Sequence, residues 1–305
     1  MIPVVSTVRA PRGRRRALAS FLALWWAPLA AQRTVSPLAG IRLELDSVTA
    51  GEGYLVYAYR AVNPTTSKGG IAIVSIDLTA PRGTGFLTLP AVGPFWHGAG
   101  FPAVDRSQFQ EHVPVGPISP TNWKATLVKE GGMDWYGARG GAEGQYGDSI
   151  GPGDSLGGFG LRSPFLPGIR VSAADPTAAS CCTKVRPPGQ STEPEYPNVW
   201  EFRVHGWTVG PVYPPGKMTI RVMGELLGRA CGGLGWISDG GACKSLRARL
   251  ALGAQAQQPS DQDARRGALR AFLAELDARH GPGMPVSDNA YWLLKVNGEY
   301  LLAHM

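Results

Sequence analysis

Residues 41–78 read IRLELDSVTAGEGYLVYAYRAVNPTTSKGGIAIVSIDL, and this stretch decides the fold. Ile41, Leu43 and Leu45 alternate with polar neighbours; Leu55, Tyr57 and Tyr59 lie opposite Tyr54 and Val56; Ile71 and Ile73 lead to Ile76 and Leu78. A period of two sends successive side chains to opposite faces of an extended chain, so the stretch predicts three strands. Ala50-Gly51-Glu52-Gly53 separates the first two, and Asn63-Pro64 through Lys68-Gly69-Gly70 separates the second from the third. Such turn residues join antiparallel hairpins, not helical crossovers.

Further strands are expected at residues 124–128, 155–161, 199–204 and 218–223. Many short strands with no helices between them predict an antiparallel β-sandwich over residues 37–223. Two connections, residues 81–121 and 173–198, exceed ordinary loop length and are either functional or irregular. Gly224, Gly228, Gly232, Gly233, Gly235, Gly240 and Gly241 then crowd one interval. That density disfavours regular structure and predicts a Gly-rich linker over residues 224–243.

Residues 244–305 change character. Leu269, Phe272, Leu273 and Leu276 stand at helical spacing and place one apolar stripe on one face. Ser260 with Asp263 offers an N-terminal cap, Gly281-Pro282-Gly283 a stop, and a last helix should start after Ser287, carrying Ala290, Leu293, Leu294, Val296 and Leu301. An earlier helix over residues 245–257 presents Leu246 and Leu250. The expected fold is therefore mostly β with a small all-α C-terminal unit, a sandwich followed by a three-helix domain. Three short helices bury little by themselves, so the unit should lean on the sandwich.

The order Ser245-Leu246-Arg247-Ala248-Arg249-Leu250, then Gly267-Ala268-Leu269-Arg270-Ala271-Phe272-Leu273-Ala274-Glu275-Leu276, then Gly281 and Met284-Pro285-Val286-Ser287 before a final apolar helix, resembles the FIMAH domain over residues 244–302. The resemblance implies an extracytoplasmic accessory module of exported bacterial proteins, and it transfers no catalytic residues. The last helix departs from the pattern, with Tyr291, Trp292, Asn297 and Gly298 where a plain Ala- and Ile-rich face is usual. The first part, through Tyr57, Tyr59 and Asn63, is distantly similar to exported β-sandwich proteins.

The N-terminal residues point to the same compartment. Arg12, Arg14, Arg15 and Arg16 precede an apolar run over residues 17–29 that closes on Ala30 and Ala31. A basic segment, a short apolar segment and small residues at the cut make a signal peptide over residues 1–31, too short to span a bilayer. Arg15-Arg16 lacks the flanking residues of a twin-arginine signal, which favours the general secretory route, and no cysteine at the cut suits a lipoprotein anchor. The mature chain should be periplasmic or extracellular. Cleavage would take five arginines from a formal net charge of +7 and leave about +2, so the basic balance gives no support to nucleic acid as a partner.

Cys181, Cys182, Cys231 and Cys243 in an exported chain should be bridged. Cys231 with Cys243 closes a Gly-rich loop, while cross-pairing with the adjacent Cys181 and Cys182 avoids a strained ring between neighbours; both arrangements stand. No Cys-x-x-Cys knuckle suggests a zinc site.

Chemistry-bearing motifs are sparse. Gly147-Asp148-Ser149 has a protease-like look but is better read as a turn into the strand near residue 155. Asp134, Glu143, Asp148 and Asp154 are hard oxygen ligands in a Gly-rich stretch and form a calcium candidate, without EF-hand spacing. His97, His112, His205, His280 and His304 share no metal-binding spacing. Aromatics in Gly-rich loops are the better ligand-binding candidates: Trp96 and Phe101 in one, Trp135 and Tyr136 in another, where an exposed ring stacks on a sugar or anchors a protein. No cofactor is indicated. The sequence predicts an exported binding or scaffolding protein whose partner is a carbohydrate or an envelope protein. A secreted hydrolase, with its site in the long loops, is the alternative.

Overall fold

The computed structural model describes residues 36–78, 80–81, 109–110, 115–127, 132–138, 148–177, 202–212, 217–255 and 261–305. The opening stretch forms β1 (Arg42–Ala50), β2 (Leu55–Val62) and β3 (Ile71–Asp77). Next come β4 (Ala80–Pro81), β5 (Phe109–Gln110), β6 (Gly116–Ile118), β7 (Trp123–Leu127), β8 (Gly132–Gly137), β9 (Ser155–Ser163), β10 (Pro167–Pro176) and β11 (Val204–Pro211). Two antiparallel sheets result, ordered β1-β2-β9-β6 and β11-β10-β3-β8-β7, with β4 and β5 as a separate short ribbon.

The inner faces bring aromatic rings together across the two sheets. Phe159 of β9 meets Trp123 of β7 edge-on at 5.1 Å between centroids and Trp135 of β8 at 5.8 Å. Tyr57, Tyr59, Phe159 and Trp135 are all fully buried. Asn63, at the end of β2, is a buried hub: its side-chain amide donates to the carbonyls of Gly69 and Ile150, and its backbone bonds Asp154 and Gly153.

Four helices follow: α1 (Ile220–Cys231), α2 (Gly240–Gln255), α3 (Gln262–Ala278) and α4 (Asp288–Ala303). Two expectations need correction here. Residues 218–223 are not a strand, because Thr219 caps α1 with its hydroxyl, accepting from the Val222 N–H. The Gly-rich interval is also largely helical. Gly224 and Gly228 cost α1 roughly 1 kcal/mol each in helix propensity, but Val222, Met223, Leu226, Leu227 and Ala230 bury one face and offset it. The helix thus gains a fourth member for the unit expected to have three. Ser260, the expected cap, lies outside the described residues; Asp261 stands at the start of α3 without a side-chain capping bond.

One hydrophobic core runs from the sheets into the helices, joining Leu45 and Tyr59 to Phe272 and Leu293. The join is made at an irregularity. In β1 the register shifts between Leu45 and Ser47, a bulge at Asp46 that switches the inward face from Leu43 and Leu45 to Val48. β1 is an edge strand, and its exposed backbone groups need partners. α4 supplies them: Asn289 Oδ1 accepts the Leu45 N–H at 2.9 Å, and Trp292 Nε1 donates to the Asp46 carbonyl at 2.7 Å. Asn297 adds a bond from Nδ2 to the Pro167 carbonyl of β10 at 2.8 Å. Asn289→Ala should strand the Leu45 amide and cost about 1–3 kcal/mol. Hydrogen exchange at Leu45, accelerated relative to β2 amides, checks this.

Candidate functional site

Trp135 and Tyr136, expected on a loop, lie in β8. Trp135 is a core residue: it is fully buried, and its Nε1 donates to the Ile118 carbonyl at 2.9 Å. Its ring has no face free for a ligand, which corrects its place among the exposed aromatics. Tyr136 is half-buried on the opposite face of the same strand. Trp96 and Phe101 lie outside the described residues, as do Glu143, Cys181 and Cys182.

The remaining calcium candidates do not converge. Asp134 is on β8, while Asp148 approaches Gly137 so closely that a Cβ there would sit 2.1 Å from the Asp148 carbonyl oxygen. Asp154 folds back on its own turn, its N–H donating to Gly151. Among the described residues no three His, Cys, Asp or Glu side chains are grouped to hold a metal ion.

Asp134 belongs to a different constellation. Strand register places Asp134, Ser75, Ala173 and His205 in one row across the second sheet, on the face away from Trp135. In the adjacent row Asp175 receives both Nε and Nη2 of Arg203, at 2.7 and 2.6 Å, with the pair almost wholly buried. Burial pushes the Asp134 carboxyl up to about 6, against the lowering influence of Arg203 and the Ser75 hydroxyl. Burial, aided by Arg203, pushes His205 down to about 4.

A carboxyl raised on folding contributes stability that is present below its unfolded value, near 4, and lost as pH rises through about 6. The wild type should therefore lose about 3 kcal/mol relative to Asp134→Asn between about pH 3 and about pH 8. His205 works in the opposite sense, its contribution being lost as pH falls through about 4, and it cancels in that comparison. Urea denaturation of both proteins at the two pH values measures the difference.

A cleft of about 720 Å³ lies elsewhere, where the sandwich meets the helices. β1 contributes Arg42 and Glu44, β2 Arg60, and β11 Trp207; the α1–α2 connection contributes Trp236, and the α3–α4 connection His280. Both tryptophans are half-buried. The two connections brace each other: the Ser287 N–H donates to the Trp236 carbonyl at 2.9 Å and the Ser238 N–H to the Pro285 carbonyl at 3.0 Å. Cys231 and Cys243 are bridged across the loop that carries Trp236, their Cα atoms 5.9 Å apart. Closing a loop of this length adds roughly 3 kcal/mol on the chain-entropy account.

Charges along the cleft are paired. Arg42 Nε donates to Glu44 Oε1 at 2.7 Å, and Arg60 Nη2 lies 2.8 Å from Asp46, 3.6 Å from Asp288 and 3.9 Å from Glu44. Burial raises the Asp46 carboxyl, Arg60 opposes this, and Asp288 and Glu44 reinforce it. His280 Nε2 is 2.7 Å from Asp288 Oδ1, and its ring stacks on Tyr291 at 3.7 Å and 6°. Among the described residues, no hydroxyl or thiol hydrogen-bonds that ring.

None of these cleft residues was singled out as a ligand contact from sequence. The available signals were Trp236 between two cysteines, and His280 beside the Gly-Pro-Gly helix stop. No helix among the described residues is long and apolar enough to cross a membrane. The chain matches no family model and no curated protein.

Proposed function

We propose that the protein is an exported, non-catalytic binding or scaffolding protein of the bacterial envelope or extracellular space, and that its ligand seats in the cleft between sandwich and helices. The observation that carries this reading is two half-buried tryptophans, Trp207 and Trp236, lining one cleft with braced walls. Such rings offer large apolar contact area at small entropic cost. The exported setting rests on the signal-like residues 1–31 and on the likeness of residues 244–302 to the FIMAH domain. The disulfide suits an oxidising compartment.

Hydrolysis is the second reading, and one observation favours it. The Asp288 carboxylate holds the His280 imidazole as an acid orients a general base. No nucleophile is bonded to that imidazole among the described residues, so binding remains the better account.

Capture of the purified protein on insoluble polysaccharides and cell-wall material, with analysis of the supernatant, separates the two readings. Retention without released products, weakened about tenfold by Trp207→Ala or Trp236→Ala, is the expected result. Released products that vanish in His280→Ala would make the cleft an active site. Retention indifferent to both tryptophan substitutions would remove the ligand from the cleft.

A further inference from the structure

We infer that the cleft takes an uncharged saccharide chain. This rests on the cleft being the binding site, and it adds the chemistry of the ligand.

The charge arrangement carries the inference. Among the residues lining the cleft, Arg42 and Arg60 face Glu44 and Asp288, and each guanidinium already has a carboxylate oxygen within 4 Å. An anionic ligand would have to displace these carboxylates or sit beside them, and a cationic ligand would meet the guanidinium groups in the same way. Neither sign is favoured, so an ionic ligand gains no advantage over a neutral one from the net charge of this wall. A hydroxyl, by contrast, donates and accepts at once. It fits between an arginine N–H and a carboxylate oxygen without breaking the pair.

Those groups retain bonding capacity. Arg42 commits Nε to Glu44, which leaves both terminal nitrogens with donors to offer. Glu44 Oε2 lies 3.9 Å from Arg60, too far for a hydrogen bond, and so is open as an acceptor. Neighbouring donors and acceptors of this kind match vicinal hydroxyls. Trp207 and Trp236 supply what the other face of a sugar ring requires, a flat apolar surface for its C–H groups. A volume of about 720 Å³ falls within the range of ligand sites, roughly 300–1,000 Å³.

The test is calorimetric titration of the purified full chain with two panels of oligosaccharides. One panel is uncharged: cello-, xylo-, manno- and laminari-oligosaccharides and N-acetylated chito-oligosaccharides. The other is anionic: oligogalacturonates and sulfated glycans. The expected result is saturable binding of at least one uncharged member with a change in tryptophan fluorescence. Its affinity should change less than about twofold between roughly 0.05 and 0.5 M salt. Trp207→Ala and Trp236→Ala should each weaken it about tenfold. Arg42→Met at an exposed position and Glu44→Gln at a half-buried one, neither expected to unfold the protein, should each weaken it about fivefold.

Binding restricted to the anionic panel and lost with added salt would overturn the inference, and tryptophan dependence would still leave the cleft as the site. The same holds if no saccharide binds while a defined envelope protein is captured through Trp207 and Trp236. Saccharide binding that survives both tryptophan substitutions would overturn the cleft reading and the inference with it.

Discussion

Asp175→Ala is expected to lower the unfolding free energy by about 3–5 kcal/mol, because it removes the bidentate carboxylate from a guanidinium held in the interior, that of Arg203. The wild-type pair is bidentate, and its side chains are 1% and 0% exposed. Water therefore cannot replace the lost carboxylate. The contrast is Lys295 with Asp277, also within 2.9 Å but 20% and 44% exposed, where removal should cost no more than about 1 kcal/mol. Urea denaturation of the two single variants measures both effects. The double variant Asp175→Leu with Arg203→Met should recover much of the loss, since an apolar pair of similar volume has no charge to desolvate. A penalty below about 1 kcal/mol for Asp175→Ala would mean that solvent reaches the guanidinium.

That pair also shows where sequence reading stops. Period-two alternation over residues 41–78 was enough to place β1, β2 and β3, because each apolar residue reports its own face. The stripe of Leu269, Phe272, Leu273 and Leu276 placed α3 for the same reason, and all four are buried. The spacing of Val222, Met223, Leu226, Leu227 and Ala230 carries an equally helical signal, but Gly224 and Gly228 mask it with the composition of a linker. Both glycines face open space on α1, where a side chain would meet nothing within 4 Å. They weaken the helix without preventing its burial.

Departures from a helical pattern were informative in another way. Trp292, Asn297 and Gly298 fit poorly with a plain apolar face because they serve contacts made by α4 alone. Trp292 and Asn297 bond to β1 and β10, and Gly298 admits Leu273 so closely that a Cβ would lie 2.8 Å from its methyl group. The strand partners of Trp292 and Asn297, more than a hundred residues away in sequence, leave no local trace. The cleft is illegible for the same reason. Trp207, Trp236, Arg60 and Asp288 come from four separate elements, and the packing of α4 and β11 on β1 brings them together.

Trp135→Ala should cost about 3–5 kcal/mol, the loss expected when a fully buried aromatic ring is truncated. The ring contacts Phe159 from the opposite sheet and lies 6.2 Å from Tyr59, so its removal opens a cavity at the centre of the sandwich. Trp135→Phe keeps much of that contact and gives up the Nε1 bond to Ile118, a smaller loss of about 1–2 kcal/mol. Trp236→Ala, at a half-buried position on the cleft wall, should cost about 1 kcal/mol. Thermal denaturation and ligand titration on the same samples then separate core from site. Any loss of binding in Trp135→Ala should track the unfolded fraction and disappear on cooling to where the variant is folded. In Trp236→Ala the loss should persist at every temperature at which the protein is native. If Trp135→Ala instead abolished binding in a fully folded protein, the ring would have to reach a ligand from a position that solvent does not reach, and the assignment of the cleft would fail.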